Sequence, residues 1–147
     1  MKIHPYGNNN KNMLKIKSDI VKVDCSKDKC MKFISDMNNY HLLFPEDKIS
    51  EWNADENSCF MKIQNTYSLD MMMEEKNEIG NIKIKSGSKS PFNFDLFIEI
   101  IENDENCTAQ ITCNANVSSA LKIIIGGPLN QLFNYMAHKI SLATKHN

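Results

Sequence analysis

Few side chains in this sequence have the types and spacings that do chemistry. Four histidines, His4, His41, His138 and His146, are the candidates for general-base work near neutral pH. A base needs a partner within hydrogen-bond reach, and no sequence spacing supplies one. His41 stands beside Leu42-Leu43, His138 falls two residues past Met136, and the other two lie near the termini. Five cysteines, Cys25, Cys30, Cys59, Cys107 and Cys113, form no CxxC pair, so zinc ligation is not expected. With no export signal in view they read as reduced, small hydrophobes. Glu74-Glu75 and Asp104-Glu105 sit at a strand end and in a turn, not as an acid/base pair. No GxSxG, Walker, HExxH or dinucleotide motif occurs, and Ser86-Gly87-Ser88 starts no helix that could cradle phosphate. No catalytic residue, metal or cofactor is expected.

Composition narrows the field further. The chain has 147 residues, 41% hydrophobic and 24% charged, which suits one domain. Its net charge is -1, and all 17 basic residues are lysine. Without arginine there is no bidentate clamp for carboxylate or phosphate. Neither a basic surplus nor arginine readout of guanine is available, so nucleic acid is not an expected partner. No apolar run approaches the roughly 20 residues needed to cross a bilayer, so no membrane insertion is expected. Residues 1–14 read as a polar, asparagine-rich leader without the apolar stretch of a secretory signal, and residues 15–147 as the domain. A cytoplasmic location follows as the expectation.

The elements that must position any site come in a clear order. Lys15 to Asp24 is rich in Ile and Val and reads as a strand. Ser26 then caps a helix with Asp28 in its first turn, and Cys30, Phe33, Ile34 and Met37 make its apolar stripe. Asn38-Asn39 interrupts it, and Tyr40 to Phe44 forms a second short helix before Pro45. The period then changes to two. Strands are expected over Ile49 to Ala54, Ser58 to Gln64, Thr66 to Asn77, Asn81 to Ser86, Phe92 to Glu102 and Cys107 to Val117. Asp55-Glu56-Asn57 and Asn103-Asp104-Glu105-Asn106 supply turns. From Ser119 the pattern is helical, interrupted at Gly126-Gly127-Pro128, and then Leu129, Leu132, Phe133, Met136, Ile140 and Ala143 line one face. Strands in succession, without strand–helix alternation, indicate an α+β fold whose antiparallel sheet is covered by the long last helix.

Several stretches resemble a known group. Phe33-Ile34-Ser35-Asp36-Met37-Asn38-Asn39-Tyr40, Leu43-Phe44-Pro45-Glu46-Asp47 with Trp52, Cys59 to Ile63, Pro91 to Phe94 and Pro128 to Phe133 are similar to small bacterial START-like proteins. These belong to the SRPBCC superfamily of polyketide cyclases, lipid-transfer domains and birch-pollen-type allergens. The resemblance runs from about Lys15 to Ile140 and departs at Ser118-Ser119-Ala120 and Gly126-Gly127. It implies a helix-grip fold, in which a curved seven-stranded antiparallel sheet wraps a long C-terminal helix around an apolar cavity. Two short helices would lie between strands one and two. The superfamily hosts enzymes and carriers alike, so fold alone does not fix activity.

Strand parity then names a lining. Phe94, Leu96 and Ile98 share one face of their strand with Phe92 and Ile100; Ile111 and Cys113 do so in the next. Tyr67, Leu69, Met71 and Met73 align in the third expected lining strand, and Ile84 with Ser86 in the fourth. Phe133, Met136 and Ile140 face them from the helix. Tyr67 and Ser86 are the polar anchors of an otherwise apolar wall. Such stripes are more often packed core than pocket. The expected function is binding of a small apolar or lipid-like molecule, by a monomer or homodimer. Rival readings are a polyketide cyclase or hydratase using the same cavity, and a filled-core interaction module acting through Tyr135, His138 and Leu142 as a homodimer.

Overall fold

The computed structural model describes residues 13–64 and 67–144. Residues 1–12 of the expected leader, and Thr66 at the head of the third expected β-strand after the short helices, lie outside the described residues. The chain forms β1 (Met13–Lys17), β2 (Val21–Val23), α1 (Lys27–Ile34), two 3-10 helices (Met37–Leu43 and Glu46–Lys48), β3 (Ile49–Ala54) and β4 (Ser58–Ile63). It continues with β5 (Tyr67–Lys76), β6 (Asn81–Ser86), β7 (Asn93–Asn103), β8 (Asn106–Asn116) and α2 (Ser119–Thr144). One antiparallel sheet runs in the order β1-β8-β7-β6-β5-β4-β3, with β2 also on β8. This is the helix-grip α+β arrangement.

The expected first strand is present in two pieces, which makes eight strands of the expected seven. Met13 to Lys17 pairs with Asn116 to Thr112, and Val21 to Val23 with Ala109 to Cys107. Ser18 makes the break. Its Oγ accepts from the Ile111 N–H (2.9 Å) and donates to the Asp19 carbonyl (2.8 Å), doing the work of a ladder carbonyl. The Ser18 carbonyl is left to accept from Gln110 Nε2 at 3.0 Å. A side chain that competes with the backbone in this way bends the strand without orphaning a buried group.

The first helix is capped as read, with Ser26 Oγ accepting from the Lys29 N–H at 3.2 Å. The second is a 3-10 helix that starts earlier than expected. Asp36 caps it by accepting from the Asn38 N–H (3.0 Å), so Asn38-Asn39 opens this element rather than interrupting it. Tyr40 within it is fully buried, and its hydroxyl donates to the Ile34 carbonyl at 2.8 Å. Tyr40→Phe should therefore cost about 1–3 kcal/mol, because a buried carbonyl loses its partner with almost no change in packing. Urea unfolding checks this as a lower midpoint at unchanged slope.

The hairpin turn at Asp55 is built by its carboxylate, which accepts from the N–H groups of Asn57 (2.8 Å) and Ser58 (2.9 Å). Those bonds, the Asn57 one first, hold the Asp55 carboxyl below its ordinary range. In α2 the expected interruption at Gly126-Gly127-Pro128 does not occur; the helix is continuous from Ser119 with Pro128 inside it. Pro128 and Ile124 are both exposed, so the carbonyl that Pro128 deprives of a donor can meet water instead.

The core is one cluster between sheet and helix. β7 buries Phe94, Leu96, Ile98 and Ile100, and β8 buries Cys107, Ala109, Ile111, Cys113 and Ala115, in strict alternation. From α2 come Leu129, Leu132, Phe133, Met136, Ala137 and Ile140. The helix packs most densely on β1, β2, β8 and the first 3-10 helix, so long side chains must fill the space towards β4–β7.

Candidate functional site

A groove opens where α2, the second 3-10 helix and the β4–β5 end of the sheet converge. Pro45, Lys48, Ile63, Gln64, Tyr67, Pro128, Gln131, Leu132 and Tyr135 line a volume of about 420 Å³. The local sequence explains the opening. Pro45 ends one helical segment, Gln64 turns with φ 54° at the end of β4, and Pro128 puts a ring without an N–H on the exposed side of α2. The volume falls in the range of small-molecule sites, roughly 300–1,000 Å³. Tyr135 also borders a second hollow of about 480 Å³, with His41, Leu42, Phe44, Glu46, Ile49, Trp52 and Lys139. There the His41 ring lies 5.7 Å from Trp52, centroid to centroid.

The expected lining residues divide into three groups. Leu69, Met71, Ile84, Phe94, Leu96, Ile98, Ile111, Cys113, Phe133, Met136 and Ile140 all join the buried core. Tyr67 and Met73 are half-buried against it, and Tyr67 alone of the fourteen reaches the groove. Burial pushes the Tyr67 phenol up. Ser86 has a different duty: its Oγ accepts from the Phe94 N–H at 3.0 Å and caps the start of the β6–β7 ladder. Met72, of outward parity, is 44% exposed.

Alternation could not show the rim. Lys48, the Ile63-Gln64 pair and Gln131 come from three separate segments, and only the fold brings them together. Pro45 and Pro128 were visible in the sequence as chain breaks, and both proved to be rim residues. The loop from Ser86 to Pro91 is tied to Asp70. The Asp70 carbonyl accepts from the Gly87 N–H (2.6 Å) and Ser90 Oγ (3.0 Å), and its Oδ2 accepts from the Lys89 N–H (3.0 Å).

Among the described residues, the buried positions carry no carboxylate, lysine or histidine. Their ionisable groups are Tyr40 and four thiols. Burial pushes Cys59 and Cys113 up to about 12 and raises Cys30, Cys107 and Tyr40 as well. A thiol so shifted stays protonated near neutral pH and is a poor nucleophile. His138 does have an acidic partner, one that no spacing revealed: its Nε2 lies 2.9 Å from Asp19 Oδ2 across 119 residues of chain. Hydrogen bonds from His138 and then Asn134 hold the exposed Asp19 carboxyl below its ordinary range. The pair fastens α2 to the bend between β1 and β2. Among the described residues no cluster of His, Cys, Asp or Glu could hold a metal ion. No described helix is long and apolar enough to cross a membrane.

An antiparallel sheet gripping a long C-terminal helix, with a groove at the seam, defines the START-like class of fold. Comparison with solved structures agrees. Norcoclaurine synthase from Thalictrum flavum, in complex with a transition-state analogue, is 16% identical, with a TM-score of 0.68 over 91% of this chain and 95% of that one. A START superfamily protein from Mycobacterium smegmatis is 11% identical, with a TM-score of 0.63 over 91% and 97%. The di-domain aromatase/cyclase StfQ of the steffimycin biosynthetic pathway is 10% identical, with a TM-score of 0.70; the match covers 96% of this chain but 53% of StfQ. Identities this low establish the fold alone. No protein-family profile matches the sequence, and no curated protein matches it.

Proposed function

We propose that this protein binds a small apolar or lipid-like molecule between the sheet and α2, entering by the groove at Tyr67 and Leu132. The observation that carries this reading is the position of the groove. It lies at the end of the apolar interior, on the side of the sheet away from the strands that α2 packs most densely. A molecule seated there would lay its apolar part on Leu132, Ile63 and the prolines. Leu69, Met71, Phe133 and Met136 would accommodate deeper insertion, and methionine thioethers repack readily around varied shapes. Burying apolar surface supplies about 25 cal/mol per Å² before ordering costs. Lys48, Gln64, Gln131 and the Tyr67 hydroxyl are the polar groups at the rim, and they would orient the ligand's polar end. The likeness in fold to norcoclaurine synthase, seen with a transition-state analogue, and to the aromatase/cyclase StfQ supports a small-molecule reading. Among the described residues the interior offers no acid or base beyond tyrosine and thiol, which favours binding without chemistry. Native mass spectrometry of the purified chain tests it directly. A co-purifying mass removable by organic extraction supports the proposal. A bare chain that also takes up neither palmitate nor 1-anilinonaphthalene-8-sulfonate would end it.

A further inference from the structure

The hollow beyond Tyr135 is bounded by the 3-10 helices, β3 and α2, and shares only that tyrosine with the groove. Its wall is aromatic and apolar. Phe44 is buried, and Ile49 and Trp52 are half-buried against the core. Leu42 and Tyr135 are large apolar side chains that the fold leaves 39% and 38% exposed, both at this place. Chain order explains the convergence. Pro45 ends the segment that carries His41, Leu42 and Phe44, and β3 starts four residues later with Ile49. Tyr135 and Lys139 stand one turn apart on α2 and so share a face.

The polar groups here are uncommitted and of both signs. Among the described residues Glu46 and Lys139 enter no ion pair, either with each other or with a neighbour. Other charges on the same elements are spent or elsewhere. Glu51 lies 3.2 Å from Lys62 and His138 2.9 Å from Asp19, while Asp47 and Lys48 do not line the hollow. His41 Nδ1 lies 2.9 Å from the Asn38 carbonyl. A carbonyl only accepts, so Nδ1 holds the proton, and in the neutral ring Nε2 is left as an acceptor.

One kind of molecule answers all of these groups. An aromatic ring packs on Trp52 and Tyr135 by offset stacking or edge-to-face contact. A simple anion is drawn to Lys139 and repelled by Glu46, and a simple cation the reverse; a zwitterion is attracted by both. An aromatic residue inside a peptide carries neither charge, so the free amino acid is the better fit. We infer that this hollow binds a free aromatic α-amino acid, its ring on Trp52 and Tyr135, its carboxylate on Lys139, and its ammonium on Glu46 and His41 Nε2. This goes beyond the apolar ligand proposed above, since neither Glu46 nor Lys139 lines the groove.

Trp52 is the chain's only tryptophan, so its emission reports on this wall alone. Titration of the full chain with L-phenylalanine, followed by that emission and by amide-resolved NMR, tests the inference. A saturable response is expected, with shifts centred on residues 41–52 and 135–139 and a Kd of about 1 mM or tighter. Three comparison probes each lack one feature: 3-phenylpropionate the ammonium, phenethylamine the carboxylate, and L-alanine the ring. Each should bind at least about threefold more weakly. Two variants then assign the charges. Lys139→Gln should abolish the preference over phenethylamine and keep that over 3-phenylpropionate; Glu46→Gln should do the opposite. Both side chains are unpaired, so both variants should keep the wild-type urea midpoint. No saturable response to L-phenylalanine by either readout overturns the inference. So does equal binding of 3-phenylpropionate or phenethylamine, which would mean a ring held without its zwitterion. Preferences left unchanged by both variants also overturn it. Uptake of palmitate at the groove, or its failure, alters none of these outcomes.

Discussion

Phe133→Ala is expected to remove about 3–5 kcal/mol of stability. The ring is 1% exposed on the inner face of α2 and belongs to the contiguous core. Deleting it forfeits the transfer energy of the aromatic side chain. It also leaves a void that β-strands held in an eight-membered sheet close only in part. Against a total of roughly 5–15 kcal/mol for a domain, such a loss brings the fold near its limit. Urea unfolding reads the effect as a large drop in midpoint. A void of this kind also gives an apolar molecule a place to sit. A probe present at 100 times its Kd returns about 2.7 kcal/mol if it binds only the folded state. A loss below about 1 kcal/mol would mean that Phe133 does not hold the helix to the sheet.

The second large effect is alkaline. Cys59 and Cys113 have an ordinary value of 9.0 and are pushed by burial to about 12. Both are neutral in folded and unfolded chains well below pH 9, so their contribution is fully present there. Between about 9 and 12 the unfolded chain releases these protons while the folded one keeps them. Stability therefore falls as pH rises, by about 1.4 kcal/mol per pH unit for each thiol. Over three units that is about 4 kcal/mol for each of the two. Cys30, raised in the same direction, adds to the slope. Circular dichroism from pH 7 to 12 should show a steady plateau followed by unfolding above pH 10. Cys59→Ala with Cys113→Ala should lower the slope by about 3 kcal/mol per pH unit. A slope unchanged by removing both thiols would contradict the burial argument.

Much of this architecture is legible in the sequence because its strands alternate cleanly. Ile82 and Ile84 against Lys83 and Lys85, or Cys107 through Ala115, state at once which face is covered, and those faces are the buried ones. Caps that act within a few residues, such as Ser26 and Asp55, are legible for the same reason: their chemistry is local. What the sequence withholds is long-range. Ser18 breaks the first strand through a partner 93 residues away, and His138 finds Asp19 across 119. Helix continuity through Pro128 depends on that stretch lying exposed, which periodicity does not reveal. The rim of the groove is hidden in the same way, since its residues come from separate segments and share no pattern. Parity finds the wall of a site and misses its opening.

The absence of arginine bears on the groove. At the groove, Lys48 and neutral side chains are the rim groups, which suits a ligand that is mainly apolar.

The central claim is that the groove at Tyr67 and Leu132 is the way into an apolar binding site. Titration of 1-anilinonaphthalene-8-sulfonate into the wild type and into Leu132→Trp tests it most directly. Leu132 is 7% exposed and lines the groove, so an indole there fills the opening at a packing cost of about 1–3 kcal/mol. The wild type should bind the probe saturably, with a Kd in the range of about 1–10 μM, and palmitate should displace it. Leu132→Trp, folded by circular dichroism, should bind at least about tenfold more weakly. Equal affinity in a folded Leu132→Trp variant would contradict the account.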